Sequence, residues 1–441
     1  MAEWPFAIWM LEQEVRALKT RLDRVKPFVL QETMVPAAAV SFRAQAAIEN
    51  YLSSGKRRLH DLVNKYLNWL RISKGRAAGP AVAQRRYSFL RLRFNALLTQ
   101  FDLFADVFTQ RSESETGVWL AGLDVVARDA LTLPGGYYYP EPEVICYLDR
   151  GIGAAIRRAR TRLPGGGENP VAIIRVPRER MIGSGIASSL VHEVGHQGAA
   201  LLGLLSMLRE ELKRRQRGDE LCPWRFWERW ISEIVADFWS VARVGVTSTL
   251  GLMGVVSLPR AFVFRVNFDD PHPAPWIRVK LSCAMGNALF PHPQWGKLAR
   301  LWEAYYPVTG LHPGLRGLLA TLERAIPEFL ELLVTHRPRI LRGASLADAM
   351  GVSSRQPMRL ADYWREWREK RIRMFQAPPC LVFAVLGQAR LDGHLSPEQE
   401  NRAIADLLTN LALQRAMDAP QGVARALASK INRNQLSITF A

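Results

Sequence analysis

The chain has 441 residues, 48% of them hydrophobic, with 59 Lys and Arg against 41 Asp and Glu and a formal net charge of +18. That hydrophobic content excludes general disorder, and the length exceeds one ordinary domain. Four scattered cysteines, Cys146, Cys222, Cys283 and Cys380, form no Cys-x-x-Cys pair; they exclude a disulfide framework and read as reduced thiols of a cytoplasmic-type compartment. The positive charge points to an anionic partner: nucleic acid, an anionic surface, or an acidic protein in a larger assembly.

Ala2-Glu3-Trp4-Pro5 begins with an acid and a proline, and no long apolar core follows. No secretory signal is therefore expected and the location is expected to be cytoplasmic, with a non-classical export route left open. Leu11, Val15, Leu18, Leu22 and Val25 repeat at alternating steps of four and three on a helix over Ile8–Val25 that ends at Pro27. Fewer than three heptads serve equally as a self-association seam or as one face of an amphipathic helix packed on its own domain. Helices are expected over Phe42–Leu52, Lys56–Ile72 and Ala83–Phe108, with a Gly-rich link at Lys74–Pro80. Basic residues from Lys56 to Arg93 interleave with Tyr66, Trp69, Tyr87, Phe89 and Phe94. A nucleic-acid face has this texture, but no helix-turn-helix or zinc-finger pattern is legible and aromatics at helical spacing are commonly core, so nucleic acid is the disfavoured reading.

The texture changes at the loop Leu133–Pro140. Glu143–Leu148 and Val171–Pro177 read as strands, Gly153–Arg162 as a basic helix, and Leu163–Gly167 as a turn. Next comes Ser189-Leu190-Val191-His192-Glu193-Val194-Gly195-His196-Gln197, which contains His-Glu-x-x-His. Histidines four apart on a helix share one face, so His192 and His196 can close on one metal ion. Glu193 beside the first can accept the proton of a water that zinc has acidified. The flanking residues Ile186–Leu205 are almost uncharged, with Ser184 as a cap. After a charged, exposed stretch at Arg209–Asp219, Trp227–Trp239 reads as a second helix, with Glu233 and Asp237 four apart amid Ile231, Ile234, Val235 and Phe238. Carboxylates on an apolar face are costly to bury unless they are paired or bind metal. Glu233 is the candidate third ligand, and Asp237 the acceptor for the far ring nitrogen of a liganding histidine; pairing with Arg225 or Arg229 is the alternative. Val244–Pro259 is uncharged but short of the ~20 residues of a membrane span. It carries Gly245, Gly251 and Gly254 and is expected as a buried core helix.

His192-Glu193-x-x-His196 followed by Glu233-x-x-x-Asp237 resembles the gluzincin metallopeptidases, and the 37 residues from His196 to Glu233 suit that arrangement. Asp270-Pro271-His272-Pro273-Ala274-Pro275-Trp276-Ile277-Arg278 resembles the His-Pro stretch, with an arginine six residues on, of the CAAX-prenyl-protease-like gluzincins. The resemblance covers about Pro140–Val279. It implies a zincin-like core holding zinc by His192, His196 and Glu233, with Glu193 as general base and a protein or peptide as substrate. It also implies that His272 helps hold the oxyanion and that Arg278 makes a structural or substrate-carboxylate contact. Those relatives are commonly membrane-embedded, whereas this sequence contains no clear spanning helix.

Beyond it, His292 in Phe290–Trp295 has no neighbouring acid and ranks below His272, and Tyr305 and Tyr306 are alternative oxyanion donors. Helices are expected over Gly314–Thr335 and Pro357–Phe375. Ala389–Glu400 resembles the Asp-Gly turn of tellurite-resistance-TerB-like and EF-hand-like proteins, but Asp392 stands alone among the usual early ligands, so calcium is not expected and Ser396 reads as a helix cap. The expectation is a mainly α (α+β) chain: an N-terminal helical domain at 1–130, a zincin-like metallopeptidase domain with a small sheet at 131–310, and a C-terminal helical domain at 311–441. The expected activity is zinc-dependent peptide hydrolysis. The rivals are a non-catalytic zinc-containing scaffold of a larger assembly and a basic nucleic-acid-binding protein.

Overall fold

A computed structural model describes residues 3–72, 78–138, 141–150, 153–163, 167–178, 183–216, 222–267 and 269–438, with side chains described from Trp4 to Asp418. The fold is mainly helical, with one three-stranded sheet among the described residues. Two compact units divide the chain: Met1–Val118 with Arg157–Ala172 and Gly422–Ala441, and Trp119–Ile156 with Ile173–Gln421.

In the first unit α1 (Glu3–Arg24), α2 (Phe42–Arg71) and α3 (Pro80–Thr109) pack on one another. The heptad residues Leu11, Val15, Leu18 and Leu22 are buried, so the α1 seam is taken up by α2 and α3 of the same unit. The two helices expected over Phe42–Ile72 are one. Ser53-Ser54-Gly55 continues the helix, because Leu52 and Leu59 on either side are buried on the same face and hold it in register. Tyr66, Tyr87 and Phe94 point into the core, while Trp69 carries the Arg86 guanidinium 4.1 Å above its ring. Most of the link expected at Lys74–Pro80 lies outside the described residues.

The second unit takes in most of α4 (Ser114–Leu131), then β1 (Val144–Asp149), β2 (Ala155–Arg157) and β3 (Ala172–Pro177), with β3 central and β1 and β2 at the edges. β1 and β3 fall where strands were expected. The basic helix expected over Gly153–Arg162 does not form. Its arginines bring no apolar stripe to bury, whereas the free side of β3 offers backbone partners to Ala155–Arg157, and Arg160 then turns at φ 61°.

Next come α5 (Gly185–Leu201), α6 (Leu204–Arg215), α7 (Pro223–Val244) and α8 (Val246–Val256). The helix expected through Leu205 stops at Leu201 because Gly203 takes the left-handed conformation, φ 61°. Ser184 sits at its start but makes no side-chain cap. The Arg209–Asp219 stretch is the end of α6, and its residues 217–219 lie outside the described residues. α8 is the buried helix expected over Val244–Pro259.

The short α9 (Arg260–Val263) leads to α10 (Pro275–Leu289), α11 (Pro293–Tyr305) and α12 (Pro313–Thr335), and α10 packs on α7, α8, α11 and α12. Later come α13 (Leu346–Ala349), α14 (Pro357–Glu369), α15 (Ile372–Gln376), α16 (Pro379–Leu391) and α17 (Pro397–Ile438). Ser396 Oγ accepts from Gln399 N, as a cap should. No helix among the described residues is long and apolar enough to cross a membrane.

Candidate metal centre

Helices α5 and α7 are in close contact because glycines on α5 let them be. A Cβ on Gly195 would lie 2.9 Å from Ala236 Cα, and one on Gly198 would lie 2.3 Å from the Trp239 ring. Side chains there would hold the helices apart. With them absent, a carboxylate on α7 reaches the imidazoles of α5.

His192 and His196, one turn apart, stand with ring centroids 4.9 Å apart and planes at 88°. Glu233 lies between them: Oε2 is 3.1 Å from His192 Nε2, and Oε1 is 3.5 Å from His196 Nε2. Ligand atoms of the three residues all lie within 4.8 Å of one another. Two imidazoles and a carboxylate converging from two buried helices form a donor set that could hold a metal ion.

The groups around this trio are tied to it. His192 Nδ1 lies 2.8 Å from Asp237 Oδ1. Arg278 on α10 grips the same carboxylate with both prongs, Nε to Oδ2 at 2.7 Å and Nη2 to Oδ1 at 2.8 Å. His272 Nε2 lies 3.2 Å from Glu233 Oε2, and its Nδ1 donates to Asp270 Oδ1 at 2.7 Å. Glu193 is 8% exposed and borders a cavity of about 120 Å3 together with His192, Asp237, His272 and Arg278.

Burial opposes the charged forms of Asp237, Glu233 and His192, yet their partners outweigh it. Asp237 is held well below the carboxylate range despite burial, by the charges of Arg278 and His192. Glu233 is lowered likewise, by bonds from His192, His196 and His272. Against its own burial, His192 is pushed up to about 9 by the Asp237 charge and by bonds to Asp237 and Glu233. Both carboxylates are thus held ionised, the form in which a carboxylate can bind a metal ion.

The structure brings His192, Glu193, His196, Glu233, Asp237, His272 and Arg278 into one neighbourhood. Pairing of the α7 acids with Arg225 or Arg229 is not what it contains: Arg229 reaches Asp269 at 3.9 Å, and Asp237 takes Arg278. His292 accepts from Gln294 N at the start of α11, and Tyr306 Oη donates to Leu258 O, so neither borders the cavity.

Three contributions escaped the sequence reading. Asp270 fixes the His272 ring, and its place two residues before the histidine was the available signal. Ser232 Oγ stands 3.4 Å from His196 Nδ1. Leu252 and Val255 of α8, with Gly153 and Ala154 leading into β2, wall the cavity; nothing in the local pattern marks them. No family model, curated protein or solved structure matches this chain.

Proposed function

We propose that the chain is a zinc-dependent metallopeptidase of gluzincin type, with its site on a zincin-like core. The observation that carries the reading is the convergence of His192, His196 and Glu233 within 4.8 Å, with Glu193 on the same helix facing the adjoining cavity. His192, His196 and Glu233 would hold zinc, which supplies Lewis-acid chemistry that acidifies water and polarises a carbonyl.

The remaining steps belong to the protein. Glu193 takes a proton from the attacking water on its carboxylate and passes it to the leaving amine. Asp237 accepts from His192 Nδ1 and so orients the ring, whose other nitrogen would be the one to hold a metal, and Arg278 keeps Asp237 ionised and in place. Asp270 at Nδ1 and Glu233 at Nε2 favour the doubly protonated His272 ring, whose Nδ1–H donates to Asp270 and whose Nε2–H, directed into the site, is the candidate donor to the oxyanion. An extended peptide backbone suits the outer edge of β2, since Gly153 and Ala154, which precede it, border the same cavity.

The test is Glu193→Gln in the full chain. Cleavage of a peptide library should fall by roughly 10²- to 10⁴-fold, with metal content near one zinc per chain and the melting temperature unchanged. His196→Ala should lose the zinc itself. Unmodified protein that holds zinc yet cleaves nothing, with Glu193→Gln indistinguishable from it, would make the chain a zinc-containing scaffold; metal content unaffected by His196→Ala would remove the site altogether.

A further inference from the structure

Helices α2 and α3 of the first unit run antiparallel. Tyr66 Oη on α2 donates to Ala83 O on α3 at 2.8 Å, and farther along Gly55 faces Leu97. Between them lies a cavity of about 490 Å3, in the size range of small-ligand pockets. Its floor is Leu59, Leu62 and Leu97, and Gly55 adds no side chain to fill it. Its rim carries Arg58 and Lys65 from α2 and Arg93 from α3.

Those three cations lack an acidic partner among the described residues, although Asp61 is also on the rim. In the wall, the Tyr51 hydroxyl is buried without a hydrogen-bond partner among the described residues. Arg58 lines the same cavity as this phenol; burial raises the Tyr51 pKa and the charge of Arg58 works in the opposite direction. An apolar floor, three uncompensated cations and an unsatisfied buried hydroxyl together describe a ligand with a compact anionic head and an apolar body.

We propose that this cavity binds a small organic phosphate, with the phosphate between Arg58, Lys65 and Arg93 and the apolar body on the leucine floor. The site is independent of the metal centre and of the activity proposed there. Bare phosphate would leave the leucines wet, and a neutral ligand would leave the cations unmatched.

The experiment is calorimetric titration of the full chain at low salt with 1-naphthyl phosphate, inorganic phosphate and 1-naphthol. Saturable one-to-one binding of naphthyl phosphate is expected, about tenfold or more tighter than either control. Arg58→Glu with Arg93→Glu should weaken it by about tenfold or more at an unchanged melting temperature. Arg85→Glu, a single charge reversal elsewhere on α3, should stay within about twofold, whereas Arg93→Glu alone should weaken binding severalfold. Should the double reversal fail to fold, Arg58→Gln alone serves and should still weaken binding severalfold. Absence of saturable binding, equal affinity for naphthol or for inorganic phosphate, or insensitivity to the rim substitutions would overturn the proposal.

Discussion

Asp237 is the side chain whose loss should travel furthest, because it serves two partners at once. One oxygen takes the His192 ring and both take the Arg278 guanidinium, all of them buried. Asp237→Asn removes the nearest counter-charge of Arg278, leaving Glu233 at 4.0 Å, and the anionic acceptor of His192 Nδ1. It should lower metal affinity by roughly 10- to 100-fold and stability by about 3–5 kcal/mol. Competition with a chelating dye and urea unfolding measure the two effects, and unchanged affinity would detach Asp237 from the metal centre. Arg278→Lys should not substitute for arginine, since a single ammonium cannot reproduce the two-pronged contact. The need for partners was legible in the sequence, as two acids on an apolar helix must be compensated. Their identity was not: Arg225 and Arg229 are near in sequence, yet the arginine that arrives lies 41 residues beyond Asp237. Ion pairing depends on distance through space, which the helix alone does not set.

At the scale of elements, the centre depends on how closely α5 and α7 approach. Gly195→Ala improves helix propensity by up to ~1 kcal/mol, but its methyl would sit 2.9 Å from both Ala236 Cα and Trp239 Cβ. Backbone cannot swing aside as a flexible side chain can. Gly195→Ala should therefore destabilise by roughly 1–3 kcal/mol and weaken metal binding in parallel, as Glu233 is carried away from the histidines. Thermal unfolding and dye competition on the same sample test the coupling; a stabilised variant with full affinity would refute it. Sequence periodicity found α5 and α7, whose patterns are long and apolar. It misread Gly153–Arg162, since a three-residue strand has no period of its own and exists because β3 has an open edge.

For the whole molecule, the excess positive charge and the candidate metal site fall in different parts of the chain. The first unit, residues 1–118, 157–172 and 422–441, holds 25 Lys and Arg against 12 Asp and Glu, so most of the net positive charge belongs to it. The candidate metal centre belongs to the second. An ion that binds only the folded form stabilises it by about 4 kcal/mol at a thousandfold excess over Kd. Chelation should therefore lower a calorimetric transition of the full chain by several degrees, and added zinc should restore it. A scan indifferent to chelator would mean that no stabilising metal is held. The heptad seam of α1 illustrates the same scale. Its apolar residues are already buried within the first unit, a use that periodicity could not tell apart from pairing with a second copy.

By itself the sequence determined the mainly helical class, the positions of the long helices, and the pattern that puts two histidines and a glutamate on one helix and two carboxylates on another. These follow from local propensity and from a 3.6-residue period, which act over a few neighbours. Only the tertiary structure decided that Glu233 falls between the two imidazoles, that Arg278 rather than a nearer arginine takes Asp237, and that Asp270 holds His272. Those outcomes rest on two glycines that let helices meet and on residues far apart in the chain, and contacts of that kind are set by packing in three dimensions.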